Sequence, residues 1–236
     1  MSKLKNKVAV ITGGSSGIGL AIAEEYANQG AKIVIIGRNK QKLDDAKKNI
    51  SSKNILTISA DISKLSDIDL MYKKIDQHFG KIDILVASAG IYKLKSLKEI
   101  DEAFFDSIMD VNCKGLFFTV QKSLNYLNKN SSIILISSVA SLIPRPTTSV
   151  YSSSKAAVNI LTRSFASELT ELNIRVNNIL PGAIHTPMIG IFSTEVENKI
   201  SSMIPMKRIG ESSEILVKIG RNSCRKKFRL RITYLT

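Results

Sequence analysis

The alternation of short apolar runs with amphipathic stretches is the feature that most constrains the fold. The predicted strands are Val8–Ile11, Lys32–Ile36, Ile55–Ser59, Ile82–Ala87, Ile133–Ser137 and Ile174–Ile179. The predicted helices are Ile18–Gln29, Lys40–Ile50, Leu65–His78, Ala103–Asn112, Leu116–Leu127 and Tyr151–Leu172, with Gly30, Gly80 and Gly115 at helix boundaries. Continuously apolar strands are typical of a parallel sheet covered on both faces. The alternation therefore predicts an α/β fold, a doubly wound parallel sheet in three layers.

The positive charge of the chain is concentrated at its carboxyl end. The formal net charge is +14, and residues 217–236 contain seven Lys or Arg and no acid, so the remainder carries +7. We therefore expect one domain over residues 1–216 and a basic, atypical tail over 217–236. No recognised nucleic-acid module accompanies these bases, so we do not expect a nucleic-acid partner.

Apolar runs and cysteines bear on the cellular location. No apolar run approaches the roughly 18–20 residues that a membrane span needs, and the stretch Val8–Ile11 is too short for a signal peptide. The only cysteines, Cys113 and Cys224, are far apart and lack metal-ligand spacing. We therefore expect a cytoplasmic protein with no membrane association, no bound metal and no disulfide.

A glycine-rich turn lies where the first predicted strand becomes a helix. It reads Thr12-Gly13-Gly14-Ser15-Ser16-Gly17-Ile18-Gly19. Glycine lets the backbone take a positive φ and approach a ligand closely, and the N–H groups of a helix start attract a pyrophosphate. The spacing is one residue wider than the usual dinucleotide fingerprint, and Leu20 in place of Lys-Ser/Thr excludes a mononucleotide P-loop. The turn therefore predicts a dinucleotide site in a Rossmann-type sheet.

The end of the second predicted strand bears on the choice of dinucleotide. A carboxylate there would bind the ribose hydroxyls of NAD and repel an additional phosphate. The chain instead has Gly37 followed by Arg38. A guanidinium offers a charge-assisted fork to a 2′-phosphate. We therefore expect NADP(H) as the cofactor, whereas the alternative is that Arg38 is a solvated residue at a helix start.

Tyr151 and Lys155 stand four residues apart on a predicted helix and therefore share one face. An ammonium about 5 Å from a phenol is worth roughly 3 kcal/mol, or about two pKa units, at an effective dielectric constant near 20. Lys155 is therefore expected to lower the pKa of Tyr151 towards the range useful for general acid–base catalysis. Ser138 ends an apolar strand and could hold a substrate oxygen, although the neighbouring Ser137 reads as a simple strand-end cap.

These features together resemble the single-domain branch of the short-chain dehydrogenase/reductase family. The resemblance covers residues 7–214 and rests on the glycine-rich turn, Asp61-Ile62, Val111-Asn112, Ser138, Tyr151 with Lys155, and Pro181-Gly182. It implies catalytic roles for Asn112, Ser138, Tyr151 and Lys155, with Tyr151 as general acid/base, Ser138 orienting the carbonyl and Asn112 holding a relay water. It implies cofactor contacts for Gly13, Ser15, Ser16, Gly17, Ile18, Gly19, Arg38, Asp61, Ile62, Ala89, Gly90, Tyr151, Lys155, Pro181, Gly182, Ile184 and Thr186.

The resemblance implies hydride transfer between nicotinamide and a carbonyl or alcohol on a small or carrier-bound substrate. Within the family, the motifs of this chain are most similar to those of the beta-ketoacyl carrier-protein reductases of fatty acid biosynthesis. The resemblance therefore implies a beta-ketoacyl thioester as the best single substrate. A sugar, steroid or simple ketone is the alternative, and a non-catalytic or truncated nucleotide-binding relative is another. The segment from Thr186 to Arg208, with a short helix near Thr194–Met203, is expected to cover the substrate.

Two departures from the family pattern stand out. Ser88 replaces an asparagine in Ala87-Ser88-Ala89-Gly90, and the family's last helix and strand are missing or replaced after Ile215. A frameshift explains the abrupt change in composition, whereas in a genuine divergent tail the residues 230–235 would pair as a substitute edge strand. An absent strand would expose a sheet edge, and this makes the family's usual dimer or tetramer doubtful here.

Overall fold

The computed structural model describes residues 3–188, 190, 193–215 and 232–235. The helices are α1 Gly17–Asn28, α2 Lys40–Asn49, α3 Leu65–Phe79, α4 Glu102–Met109, α5 Leu116–Ser123, α6 Ser149–Glu168 and α7 Thr194–Met203. The strands are β1 Val8–Thr12, β2 Lys32–Gly37, β3 Ile55–Ser59, β4 Ile82–Ala87, β5 Leu127–Ile136, β6 Arg175–Pro181, β7 Ile184–His185, β8 Gly210–Glu211 and β9 Ile232–Leu235.

The central sheet is parallel and doubly wound, as the sequence predicts. Its strand order is β3-β2-β1-β4-β5-β6-β9, and β7 and β8 form a separate two-stranded sheet. The order reverses between β1 and β4, where chains of this architecture leave a crevice at the carboxyl ends of the strands. This is the edge of the sheet at which the glycine-rich turn begins.

The sheet separates two hydrophobic cores, and β1 contributes to both. Val10 packs in one core with Tyr72 of α3, whereas the next residue, Ile11, packs in the other with Ile22 of α1. This alternation follows from the two-residue period of a strand. The continuously apolar strand sequences are therefore explained by burial on both faces, which produces three layers.

The predicted helix boundary at Gly115 is confirmed, because α5 begins at Leu116, but the gap predicted before it is absent. A π-helical turn, Asp110–Gly115, joins α4 to α5 without interrupting the helix. A Cβ atom at Gly115 would lie 2.6 Å from the carbonyl oxygen of Ile62 and 3.0 Å from that of Asp110. Glycine is needed here because the helix approaches the segment after β3 closely, and this contact between distant residues has no local signature.

The end of the chain supplies a seventh strand to the sheet. β9 pairs in parallel with β6, with Asn178 opposite Ile232 and Pro181 opposite Leu235. The family's last strand is therefore replaced by β9. The edge of β6, which we expected to be exposed, is covered where β9 pairs with it. Residues 216–231, where the last helix was expected to be missing or replaced, lie outside the described residues. The frameshift and the division at residue 216 stay predictions.

We expect Gly115→Ala to destabilise the protein by about 1–3 kcal/mol, because the added methyl group overpacks against backbone that cannot rotate away. Urea unfolding measures the change in free energy. The control is Gly37→Ala, whose added Cβ would meet the rotatable Ser15 Oγ at 3.1 Å. Equal stability of the two variants would contradict the packing role of Gly115.

Candidate active site

A cleft of about 1070 Å³ opens at the carboxyl edge of the sheet. It brings together every predicted site residue except Asn112. The predicted residues that line it are Gly13, Ser15, Ser16, Gly17, Ile18, Gly19, Arg38, Asp61, Ile62, Ala89, Gly90, Ser138, Tyr151, Lys155, Pro181, Gly182, Ile184 and Thr186. The glycine-rich turn and the tyrosine–lysine pair therefore face one space although they are far apart in the sequence.

The glycine-rich turn is built for close backbone approach. Gly13 has a φ of 68°, and a Cβ there would lie 2.8 Å from the Cα of Ala89. The hydroxyl oxygen of Thr12 accepts a hydrogen bond from the N–H of Ala89 at 3.2 Å, which joins the turn to the end of β4. The glycine-rich turn and the loop after β4 form one wall of the cleft.

The helix that follows the turn begins without a cap. Ser16 occupies the N-cap of α1, but its side chain makes no capping hydrogen bond and the first turn contains no acidic residue. The first N–H groups of a helix are unpaired within the helix and carry partial positive charge. This uncapped start, at a glycine-rich turn, fits the pyrophosphate of a dinucleotide.

Basic side chains gather at the far end of this wall. Arg38 and Lys42 are both exposed and both line the cleft next to Gly37. Asp61 faces the same region: although partial burial opposes the effect, hydrogen bonds from Ser63 and the charges of Arg38 and Lys64 lower the pKa of its carboxyl. Sequence reasoning did not predict Lys42 as a site residue. Its position on the first turn of α2, four residues after Arg38, was the signal that could have identified it.

Lys155 lies in a buried setting at the inner end of the cleft. Its Nζ donates a hydrogen bond to the carbonyl oxygen of Ile136 at 2.9 Å and lies 5.9 Å from the centre of the Tyr151 ring. Burial lowers the pKa of Lys155 to about 8. Ser137 is more than a cap, because its hydroxyl donates to the Lys155 carbonyl oxygen at 2.8 Å and joins α6 to the end of β5.

The expected lowering of the Tyr151 pKa is wrong for the protein without ligand. Burial raises the pKa of the phenol above its usual value, while a hydrogen bond with Ser138 opposes this and the nearby Tyr92 adds to it. The Lys155 ammonium is directed at the Ile136 carbonyl oxygen. Desolvation therefore outweighs the attraction that helical spacing alone suggested.

Asn112 lies behind the wall of the cleft and is fully buried. Its Nδ2 donates to the Ile91 carbonyl oxygen at 2.9 Å and to Ser154 Oγ at 3.1 Å, and its Oδ1 accepts from the Ile91 N–H at 2.8 Å. A Cβ at Gly90 would lie 3.2 Å from this Oδ1 and 3.3 Å from Lys155 Nζ. Asn112 thus holds the loop after β4 in place beside the lysine, and its relay role stays a prediction.

The remaining wall extends from Tyr151 to the segment expected to cover the substrate. Tyr92 packs edge-on against Tyr151, with ring centroids 4.8 Å apart. Val196 and Met203 of α7 also line the cleft, and the covering of a substrate by this segment stays a prediction. Sequence reasoning missed Tyr92 and Arg145, which also lines the cleft, because neither belongs to a motif.

Comparison with known proteins agrees with this geometry. The short chain dehydrogenase family matches residues 7–196. An uncharacterized oxidoreductase of Staphylococcus epidermidis is 42% identical over 190 residues, which cover 80% of this chain and 82% of that protein. An uncharacterized oxidoreductase of Methylorubrum extorquens is 35% identical over 221 residues, covering 91% and 89% of the two chains.

Two solved structures from Brucella melitensis are similar over nearly the whole chain. A short-chain dehydrogenase/reductase described as a glucose/ribitol dehydrogenase has a TM-score of 0.92 at 32% identity, covering 98% of this chain and 95% of that one. A 3-ketoacyl-(acyl-carrier-protein) reductase complexed with NADH has a TM-score of 0.90 at 30% identity, covering 97% and 96%. The chain belongs to the short-chain dehydrogenase/reductase family, and it is an oxidoreductase of that family.

Among the described residues, none of the helices combines the length and apolarity needed to cross a membrane. The same part of the chain holds no group of three or more His, Cys, Asp or Glu residues placed to bind a metal ion. Cys113 is a free thiol, and Cys224 lies outside the described residues.

We expect Lys155→Met to stabilise the protein at pH 7. A lysine with a pKa of about 8 when folded and 10.5 when unfolded destabilises the fold by up to about 3 kcal/mol below pH 8, and this cost disappears as the pH rises towards 10.5. Loss of the hydrogen bond to Ile136 offsets about 1 kcal/mol. Urea unfolding at pH 7 and pH 10 measures the difference, with the exposed Lys74→Met as control.

The gain from Lys155→Met should therefore shrink between pH 7 and pH 10, whereas Lys74→Met should change little at either pH. A gain of the same size at both pH values would show that Lys155 is not destabilised by burial.

Proposed function

We propose that the protein is an NADP(H)-dependent oxidoreductase that transfers a hydride between nicotinamide and a carbonyl or alcohol. The observation that carries the proposal is the convergence of Ser138, Tyr151 and Lys155 on the cleft that also contains the uncapped, glycine-rich start of α1. One cleft can therefore hold a dinucleotide and a substrate oxygen beside a proton donor.

The cofactor would lie along the wall from Arg38 to Thr186. The backbone from Gly13 to Gly19 would hold the pyrophosphate, Asp61 and Ile62 would flank the adenine, and Ala89 and Gly90 would approach the sugar. Pro181, Gly182, Ile184 and Thr186 would meet the nicotinamide end. When bound, the cofactor supplies or accepts the hydride, and the protein holds it and handles the proton.

Tyr151 is the proposed general acid and base. A substrate oxygen held by the Ser138 hydroxyl accepts the phenolic proton during reduction, and the proton returns to the phenol oxygen during oxidation. Burial disfavours the phenolate that forms, and this is the state that the Lys155 ammonium, 5.9 Å from the ring centre, stabilises. Lys155 therefore acts when negative charge develops on the phenol oxygen of Tyr151.

The preference for NADP(H) rests on charge at the end of β2. Gly37 provides no carboxylate to bind ribose hydroxyls, whereas Arg38 and Lys42 present two cations to this part of the cleft. A 2′-phosphate would gain charge-assisted hydrogen bonds from them. The Brucella reductase was solved with NADH, so the proposal depends on the residues of this chain and not on the cofactor of that neighbour.

A beta-ketoacyl thioester is the proposed substrate, supported by the apolar residues of α7 and by similarity to a ketoacyl carrier-protein reductase. A sugar, steroid or simple ketone is the alternative, and the similarity to a glucose/ribitol dehydrogenase favours a sugar. A non-catalytic nucleotide-binding protein would bind NADPH without consuming it in the presence of any of these compounds.

We expect Arg38→Ala to weaken NADPH binding roughly ten-fold to hundred-fold, the worth of a charge-assisted hydrogen bond, and to leave NADH binding unchanged. Calorimetry gives both dissociation constants. Lys40→Ala, which removes an exposed charge two residues away outside the cleft, is the matched control. Tighter binding of NADH than of NADPH by the unaltered protein would refute the preference.

We expect Tyr151→Phe to lower kcat roughly 100-fold to 10,000-fold, because a phenyl ring cannot transfer the proton. The loss of NADPH absorbance, a property of the reduced nicotinamide, measures turnover with a panel of ketones, sugars and a ketoacyl thioester. NADPH binding should be preserved, which separates loss of chemistry from loss of folding. Undiminished turnover by the variant would remove Tyr151 from the mechanism.

A further inference from the structure

Within the part of the chain that the structure describes, one cation at the substrate end of the cleft has no charged partner. Arg38, Lys42 and Lys155 are assigned above, and Arg208 is paired with Glu214 at 2.7 Å. In the described part of the chain, the Arg145 guanidinium has no ion pair and no hydrogen-bond partner, although it lines the cleft. An Arg without a carboxylate at a cleft wall is available to a ligand.

The backbone of Arg145 is fixed relative to the catalytic helix. Its N–H donates to Thr148 Oγ1 at 3.0 Å, and its carbonyl oxygen accepts from the same hydroxyl at 2.6 Å. Thr148 is buried and forms the N-cap of α6, three residues before Tyr151. The Lys95 N–H also donates to the Thr147 carbonyl oxygen at 3.1 Å, which joins the loop after β4 to this turn. The turn thus presents Arg145 from a defined position.

Tyr92 connects Arg145 to the reacting end. Burial raises the pKa of Tyr92, and the charge of Arg145 opposes this, so the guanidinium acts electrostatically on that phenol. The Tyr92 ring in turn packs against Tyr151 at 4.8 Å. The free cation therefore lies on the same side of the cleft as the proposed proton donor.

The rest of this end is apolar and accessible. Leu94 and Ile143 line the cleft with exposed fractions of 54% and 71%, and Val196 and Met203 of α7 also line it, with 43% and 53%. Exposed apolar side chains gathered around a cleft mark a surface that a ligand covers. A sugar, with hydroxyl groups on every face, would leave its polar groups unpaired against these walls.

We propose that Arg145 determines substrate specificity by binding an anionic group on a carbonyl compound whose body is apolar. This inference rests on the proposed function and narrows its substrate. The planar guanidinium matches the two oxygens of a carboxylate or phosphate. The anion is either a carboxylate of the substrate itself or a phosphate on the thioester arm that carries the acyl chain.

Two substrate pairs distinguish these sources of charge. The first is a medium-chain keto acid and its methyl ester, and the second is a beta-ketoacyl thioester of coenzyme A and of neutral N-acetylcysteamine. We expect Arg145→Gln to raise KM for the anionic member of one pair roughly ten-fold to hundred-fold, with KM for the neutral member and the dissociation constant of NADPH unchanged. Arg163→Gln removes the same charge from an exposed site on α6 outside the cleft and should alter neither pair.

A selective effect in the acid pair supports the proposal with a substrate carboxylate, and a selective effect in the thioester pair supports it with a carrier phosphate. An equal effect on charged and neutral members, or none, overturns it. If no compound is reduced, the proposed function fails, and calorimetry with the corresponding hydroxy compounds of both pairs decides this inference. Weaker binding of the anionic member alone in either pair by the Arg145→Gln variant would support the anion site, and identical binding of both pairs by variant and unaltered protein would overturn it.

Discussion

The buried ammonium of Lys155 is the constraint on which the rest of the site depends. A cation removed from water is costly unless it is paired or hydrogen-bonded. Here the Ile136 carbonyl oxygen, at the end of β5, accepts its hydrogen bond, and Ser137 holds the lysine's own carbonyl oxygen. These two contacts fix the start of α6 to the end of β5, so the position of Tyr151 is set by the residues that stabilise the lysine.

The wall of the cleft formed by the glycine-rich turn depends on close backbone contact. The turn at Gly13 passes so near the segment after β4 that a methyl group would collide with Ala89, and Thr12 reinforces the contact. Asn112 then holds Ile91, two residues after Ala89, through two hydrogen bonds. Three segments that are distant in sequence thus converge where β1 and β4 meet, the point at which a doubly wound sheet leaves room for a ligand.

Sequence patterns predicted the elements well where burial is continuous. The predicted β4 agrees with the structure at both ends, because an apolar run covered on two faces has clear limits. The predicted β3 also agrees at both ends, although it is only partly buried. β5 begins six residues earlier than predicted, at Leu127, since its first half is polar and partly outside the core. The gap predicted between Asn112 and Leu116 is helical, because Gly115 serves a tertiary contact that a local pattern does not show.

The amino-acid sequence by itself determined the parallel sheet, the glycine-rich turn and the tyrosine–lysine pair, since each follows from periodicity or from residue types at fixed spacing. Only the tertiary structure decided how these parts act on one another. Burial, a property of the whole fold, raised the pKa of Tyr151 where the local spacing predicted that it would fall. The same is true of Tyr92 and Arg145, which reach the cleft because the loop after β4 packs beside the turn before α6.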